Sequence, residues 1–170
     1  MKLYGALLIL SASLAAALFL LREERNRLRS VAALQRGLRA LRGTLAERQT
    51  PLPAAFRELS VQTEDAAVRA FFAALAHNME RLGEESFSVL WRAAAADRLA
   101  ALGADTAERL ALLGEQLGGS ELERQCKALD KCADALETLT AQAAGRRAEK
   151  RRMTLGLSLS LGAFLVILLL

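Results

Sequence analysis

The chain carries one histidine, His77, in the stretch His77-Asn78-Met79-Glu80. A histidine works as a general base only beside a nucleophile and an acid that orients it, and neither stands at a recognisable spacing from His77. It reads as a histidine on or near a helix surface. Carboxylates are plentiful but interleave with Arg and Lys at helical intervals, as from Glu121 to Lys127 or through Asp130, Asp134 and Glu137. That is the pattern of a solvated helix face, not of an acid–base pair. No Gly-x4-Gly-Lys-Ser/Thr and no Gly-x-Gly-x-x-Gly occurs, so no loop of either type cradles a nucleotide phosphate. Cys126 and Cys132 fall about 240° apart around one expected helix and cannot bridge each other there. They read as small core or near-core residues. Intermolecular pairing or metal binding is the alternative, and it lacks a second Cys/His pair to complete a zinc site. The expectation is a protein without catalytic residues, metal or cofactor.

Three glycines crowd the stretch LLGEQLGGSELERQ at 112–125. Glycine costs about 1 kcal/mol in a helix interior relative to alanine, so a structural reason is required. Gly118 is expected in the left-handed conformation that ends a helix, and Gly119 to loosen the turn. Ser120 with Glu123 forms a capping box for the next helix. Gly114, one turn before Gly118, is expected to let a neighbouring backbone approach closely. A tight helical hairpin accounts for every glycine, with a direct partner contact as the alternative. Gly114 and Gly118 also make a G-x-x-x-G, outside the membrane segments where its dimerisation reading belongs.

These residues must be positioned by helices. No alternating β-branched run exists, and the two prolines, Pro51 and Pro53, are clustered. From about Arg22 to Gln49, Val31, Leu34, Leu38, Leu41 and Leu45 repeat at three- and four-residue intervals, a one-sided stripe that could support a coiled coil. Thr50-Pro51 reads as an N-cap and first helical position for a short helix with Leu52, Phe56 and Leu59 on one face. A third helix starts near Glu64, buries Val68, Phe71, Phe72, Leu75, Met79 and Leu82, and stops at Gly83. A fourth starts near Ser86, places Phe87, Leu90, Trp91, Ala94, Ala95 and Leu102 inside, and ends at Gly103. Asp105 to Glu108 has capping-box form and opens a fifth, with Leu110, Leu113 and Leu117 inward. The last and longest carries Leu122, Cys126, Leu129, Ala133, Leu136, Thr140 and Ala143 on one stripe. The fold class is all-α: an antiparallel bundle of about six helices spanning residues 22–152.

Two flanking segments differ in kind. Residues 3–21 and 153–170 contain no charge and reach roughly 28 and 27 Å as helices, close to a hydrocarbon core of about 30 Å. Both read as transmembrane helices, the first as an uncleaved anchor in preference to a signal peptide, because the apolar run continues past Ser13. Eight basic and three acidic residues lie between Arg22 and Arg48, and five basic and one acidic between Arg146 and Arg152. Positive charge marks the cytoplasmic side. The central portion is therefore expected in the cytoplasm, with both ends across the membrane. Residues 57–137 hold nine basic and fifteen acidic side chains, a net of −6. The basic residues thus sit where anionic lipid headgroups attract them, and a nucleic-acid footprint is missing. With no ionisable residue inside either apolar segment, a proton relay or ion path through the membrane is unsupported.

The chain resembles the stage III sporulation protein AB family of endospore-forming bacteria. The resemblance spans essentially the whole length: MKLYGALLIL at the start, TPLPAAF at 50–56, Trp91, LLGEQLGGSELERQ at 112–125, and the closing GLSLSLGAFLVILLL. It implies a component of the multiprotein channel between mother cell and forespore, in the mother-cell membrane and needed for endospore formation. It further implies a fold similar to the cytoplasmic domains of the inner-membrane platform protein of type II secretion and type IV pilus machines. The expected partners are other channel proteins, including a secretion-type ATPase docked on a non-enzymatic platform, and self-association is possible in addition. One departure is Glu121, where the family pattern more often has Asp; either suits a helix N-terminus. The expected contact surface is the acidic distal part of the bundle, with Gly118, Glu121 and Gln125 as candidate contact residues. A self-associating membrane scaffold acting through the 22–49 stripe is the alternative, and an enzyme at the membrane surface a weaker one.

Overall fold

The computed structural model describes the backbone of residues 2–119 and 121–169 and the side chains of residues 19, 22–119 and 121–145. The described residues form six α-helices: α1 (Lys2–Arg48), α2 (Leu52–Gln62), α3 (Ala66–Asn78), α4 (Phe87–Arg98), α5 (Ala104–Leu117) and α6 (Leu122–Leu169). Two 3-10 turns, Met79–Arg81 and Ala100–Leu102, extend the ends of α3 and α4. Among the described residues there is no strand; one isolated bridge, Leu82 to Glu85, closes the turn into α4. The expected all-helical bundle is what the chain forms. Among the described residues no helix is long and apolar enough to cross a membrane. The side chains expected to do so, at 3–21 and 153–170, lie outside the described residues apart from Phe19.

The bundle closes on its first and last helices. Val31, Leu34, Leu38, Leu41 and Leu45 are each 3% exposed or less, because α6, α2 and α3 cover that face of α1. The stripe that could have fed a coiled coil is therefore used inside the chain. Above it runs a polar ladder. Gln35 Nε2 donates to Glu137 Oε2 at 3.0 Å, Arg39 Nη2 reaches Asp134 Oδ1 at 3.2 Å and Glu137 Oε2 at 2.6 Å, and Arg42 Nε reaches Asp130 Oδ2 at 3.3 Å. Rising numbers on α1 meet falling numbers on α6, so the two helices are antiparallel. The Arg22 end of α1 consequently lies at the same end of the bundle as the Gly145 region of α6.

Between these helices sits an aromatic centre. Phe56, Phe71, Phe72 and Trp91 are 0% exposed. Phe71 meets Trp91 edge-to-face at 5.1 Å and 84°, and Phe56 stacks on Phe72 at 6.3 Å. Each such pair adds about 0.5–1.5 kcal/mol beyond burial alone. The indole N–H is satisfied as well, donating to Leu110 O at 2.7 Å, which ties α4 to α5.

Helix starts differ from expectation at three places. Pro51, not Thr50, occupies the cap of α2, its carbonyl accepting from the N–H of Ala54 and Ala55 at 3.0 Å. The second proline, Pro53, fits the first turn, where no amide donor is needed, and this moves the start one residue on. α3 is capped by Asp65, whose Oδ1 accepts from Ala67 N and Val68 N at 3.1 Å while Oδ2 accepts from Ser30 Oγ at 2.7 Å. The Asp105 capping box does not form. Gly103, at φ 93° and ψ 163°, caps α5 without a side chain, Asp105 falls inside the first turn, and Thr106 Oγ1 donates back to Leu102 O at 3.3 Å.

Side-chain placement corrects two more expectations. Leu82 is 53% exposed and Leu122 is 42% exposed. Both fall where the helical period has lapsed: Leu82 follows the 3-10 turn, and Leu122 is the first residue of α6.

Candidate functional site

The hairpin between α5 and α6 lies at the end of the bundle away from Arg22 and Gly145. α5 reaches it at Leu117 and α6 leaves it at Leu122. Gly118 is not left-handed; its φ of −74° and ψ of −10° are right-handed helical. The reason for a glycine there is crowding: a Cβ would stand 3.2 Å from Phe87 Cβ and 3.3 Å from Phe87 Cδ1. Among the described residues the glycines with positive φ are Gly83 (121°) and Gly103 (93°), at the α3–α4 and α4–α5 junctions. Gly119 has open space around it. Ser120, expected as the cap, lies outside the described residues.

Gln125 has a structural task. Its Nε2 donates to Leu117 O at 2.9 Å, satisfying a carbonyl at the C-terminus of α5. Its own backbone N–H donates to Glu121 O at 3.0 Å. The Glu121 side chain is exposed. Glu123 is engaged with Lys127 Nζ at 2.6 Å; that hydrogen bond, with the attraction between the charges, holds the Glu123 carboxyl below its ordinary range and the Lys127 ammonium above its own. The turn thus brings Gly118, Glu121 and Gln125 together, with Gly118 and Gln125 building the hairpin and the Glu121 side chain left exposed.

Gly114 answers to a side chain where a backbone was expected. A Cβ at 114 would stand 2.7 Å from Trp91 Cγ and 3.1 Å from Trp91 Cβ. The Trp91 side chain takes the space a Cβ would need, so the motif stretch is keyed to the aromatic centre from both Gly114 and Gly118.

The residues weighed for chemistry are dispersed. The His77 side chain is 79% exposed on α3, 3.9 Å from Glu80, as a surface histidine should be. Cys126 and Cys132 are free and buried. Burial pushes the Cys132 thiol up to about 11, against a small opposing pull from Arg109. Among the described residues no group of three His, Cys, Asp or Glu side chains is placed to hold a metal ion. Two contacts had no sequence signal beyond residue type: the Asp65–Ser30 tie, and Arg27, whose Nε donates to Leu102 O at 2.7 Å while its guanidinium covers Gly103.

A family model described as stage III sporulation protein AB matches residues 2–170. The solved structure of a stage III sporulation protein AB (SpoIIIAB) is similar at a TM-score of 0.64 and 23% identity, over 72% of this chain and 97% of that one. At this identity the likeness shows a shared fold. No curated protein matches the chain.

Proposed function

Given that the chain belongs to the stage III sporulation protein AB family, with a role in sporulation, we propose that it is a non-enzymatic, membrane-anchored platform of the mother cell–forespore channel. In this reading residues 3–21 and 153–170 span the mother-cell membrane and residues 22–152 stand in the cytoplasm. A secretion-type ATPase docks on the end away from the bilayer. The observation that carries it is the antiparallel pairing of α1 and α6 through Gln35, Arg39 and Arg42 with Glu137, Asp134 and Asp130. It supports a bundle tethered at one end by both apolar segments, next to the basic residues Arg22, Arg25, Arg27 and Arg29 and those at 146–152. The opposite end then holds the turns at 80–85 and 118–121, within the part of the sequence that carries the net −6.

At that end the proposed contact is the turn of Gly118, Glu121 and Gln125, with Glu121 as the charged group. Other stage III channel proteins and the anionic lipid surface complete the partner set. The decisive experiment is a clean deletion complemented by variants. Loss of spores on deletion, and loss of ATPase co-purification in Glu121→Lys with the helical content intact, are the expected results. Normal spores from the deletion strain would overturn the sporulation-channel reading, and undiminished ATPase capture by Glu121→Lys would remove this turn as the contact. The rival scaffold, self-associating through the 22–49 stripe, loses its surface because that stripe is buried within one chain.

A further inference from the structure

The outer face between α5 and α6 is a groove that nothing in the bundle fills. On α5 it is lined by Arg109, Leu112, Leu113 and Gln116, and on α6 by Ala128, Lys131, Cys132 and Ala135. Both sets have the spacing i, i+3, i+4, i+7, one helical face each, so the groove has the form left when two helices wait for a third. Its floor is small and apolar: Leu113, Ala128 and Cys132 are 7% exposed or less. On its rim Leu112, a full-sized apolar side chain, is 53% exposed. The depression continues along α6 past Lys127 and Arg124 to Gly119. From residue 124 to 135 that is a length of about 17 Å, three turns of helix.

Charge says what would occupy it. The one acidic side chain along this groove, Glu115, is paired with Arg92 at 2.8 Å. Lys127 is paired with Glu123. Arg109, Arg124 and Lys131 make no ion pair among the described residues. Asp130, Asp134 and Glu137, three acids further along α6, turn toward α1 and are taken up by Arg39 and Arg42. A stretch of sequence, residues 57–137, that carries a net −6 therefore concentrates three uncompensated cations around one apolar groove. We propose that this groove seats an amphipathic helix of a partner protein, with apolar residues at three- and four-residue spacing and acidic residues flanking them. Its apolar side packs on Leu112, Ala128 and Ala135 while its carboxylates meet Arg109, Lys131 and Arg124. The surface is distinct from the Glu121 turn, and the reading stands whichever protein docks there.

The test uses the full-length chain in its sporulating host, with a photoreactive p-benzoylphenylalanine in place of Leu112. The same substitution at Val61, 80% exposed on α2, serves as the control. The cross-linked partner peptide is sequenced by mass spectrometry. The expected adduct is an Asp/Glu-rich segment of another protein with helical apolar spacing. Its yield falls about fivefold or more with Lys131→Glu or Arg109→Glu, and recovers when an acidic residue of that segment is changed to Lys. Both charge reversals are at exposed positions, and retained helical content by circular dichroism excludes unfolding. Four results overturn the proposal: an adduct with lipid alone, an adduct with a second copy of this chain, an adduct with a segment lacking acidic residues, or a yield no higher than from Val61. None of them bears on ATPase capture through Glu121, so the two readings fail separately.

Discussion

Replacing Gly114 by alanine sets two effects of known sign against each other. Alanine is favoured over glycine within a helix by about 1 kcal/mol. Against this, the new Cβ would stand 2.7 Å from Trp91 Cγ and 3.1 Å from Trp91 Cβ, well inside the optimal contact distance of about 3.5–4.0 Å. Trp91 has nowhere to retreat. It is 0% exposed, its ring lies 5.1 Å from Phe71 and 5.8 Å from Phe87, and its N–H is held by Leu110 O at 2.7 Å. Overpacking of this kind costs about 1–3 kcal/mol, and an indole N–H pulled off its acceptor costs about 1–3 kcal/mol more. The net expectation for Gly114→Ala is a loss of about 1–5 kcal/mol once the helix gain is subtracted. Gly43→Ala, within α1 and with open space around it, should instead gain up to about 1 kcal/mol. Urea unfolding of the full chain in detergent, followed through the fluorescence of its single tryptophan and by circular dichroism, measures both. Adding Trp91→Phe to Gly114→Ala should recover about 1 kcal/mol relative to additivity, because the smaller ring relieves the clash. A Gly114→Ala chain as stable as Gly43→Ala would refute the claim that the indole dictates the glycine.

Other outcomes follow from the same geometry. Gly118→Ala should change stability by less than about 1 kcal/mol, since its φ of −74° suits any residue and Phe87 need give only a few tenths of an ångström. Gly83→Ala, at φ 121°, should lose about 1 kcal/mol or more, because αL and neighbouring conformations are strained for residues bearing a Cβ; parallel denaturation curves separate the two. Asp65→Ala should lose about 1 kcal/mol as an N-cap removed, while Asp65→Asn, which keeps the acceptor, should lose less. The Cys132 thiol, pushed from 9.0 up to about 11, should resist iodoacetamide in the folded chain at pH 8 and react after denaturation. The unfolded chain ionises this thiol near 9 and the folded chain near 11. Its contribution to stability is therefore full below pH 9 and declines as pH rises from 9 to 11, a slope that Cys132→Ala should remove.

Much of the bundle was legible in spacing. The apolar periods of α1, α3, α4, α5 and α6 name most of the buried side chains correctly, from Val31 to Leu136, because a 3.6-residue repeat has one physical solution in an all-helical chain. The junctions were less legible. Cap motifs are local and compete with one another, and at α2 and α5 a neighbouring proline or glycine took the position that Thr50 or Asp105 could have filled. Glycines proved hardest to read, since a missing Cβ can answer to backbone conformation or to a neighbour. Gly118 and Gly114 answer to Phe87 and Trp91, residues more than twenty positions away whose approach no spacing rule supplies. The candidate site was legible as a turn. The division of labour within it, Gln125 closing α5 and Glu121 left exposed, depends on one hydrogen bond to Leu117 O.

The pairing of α1 with α6 bears on how the chain is made as well as how it stands. The ribosome delivers α1 first and α6 last, so Val31, Leu34, Leu38, Leu41 and Leu45 emerge long before the face that finally covers them. α2 and α3 shield part of that stripe early. The remainder stays open to water, or to a chaperone, until about a hundred further residues have been synthesised. Closure of the bundle is thus a late, non-local event, and loop-closure entropy makes such contacts slow to form. A chain truncated before α6 would expose that stripe permanently, which marks unfinished copies for aggregation or proteolysis and leaves finished ones sealed.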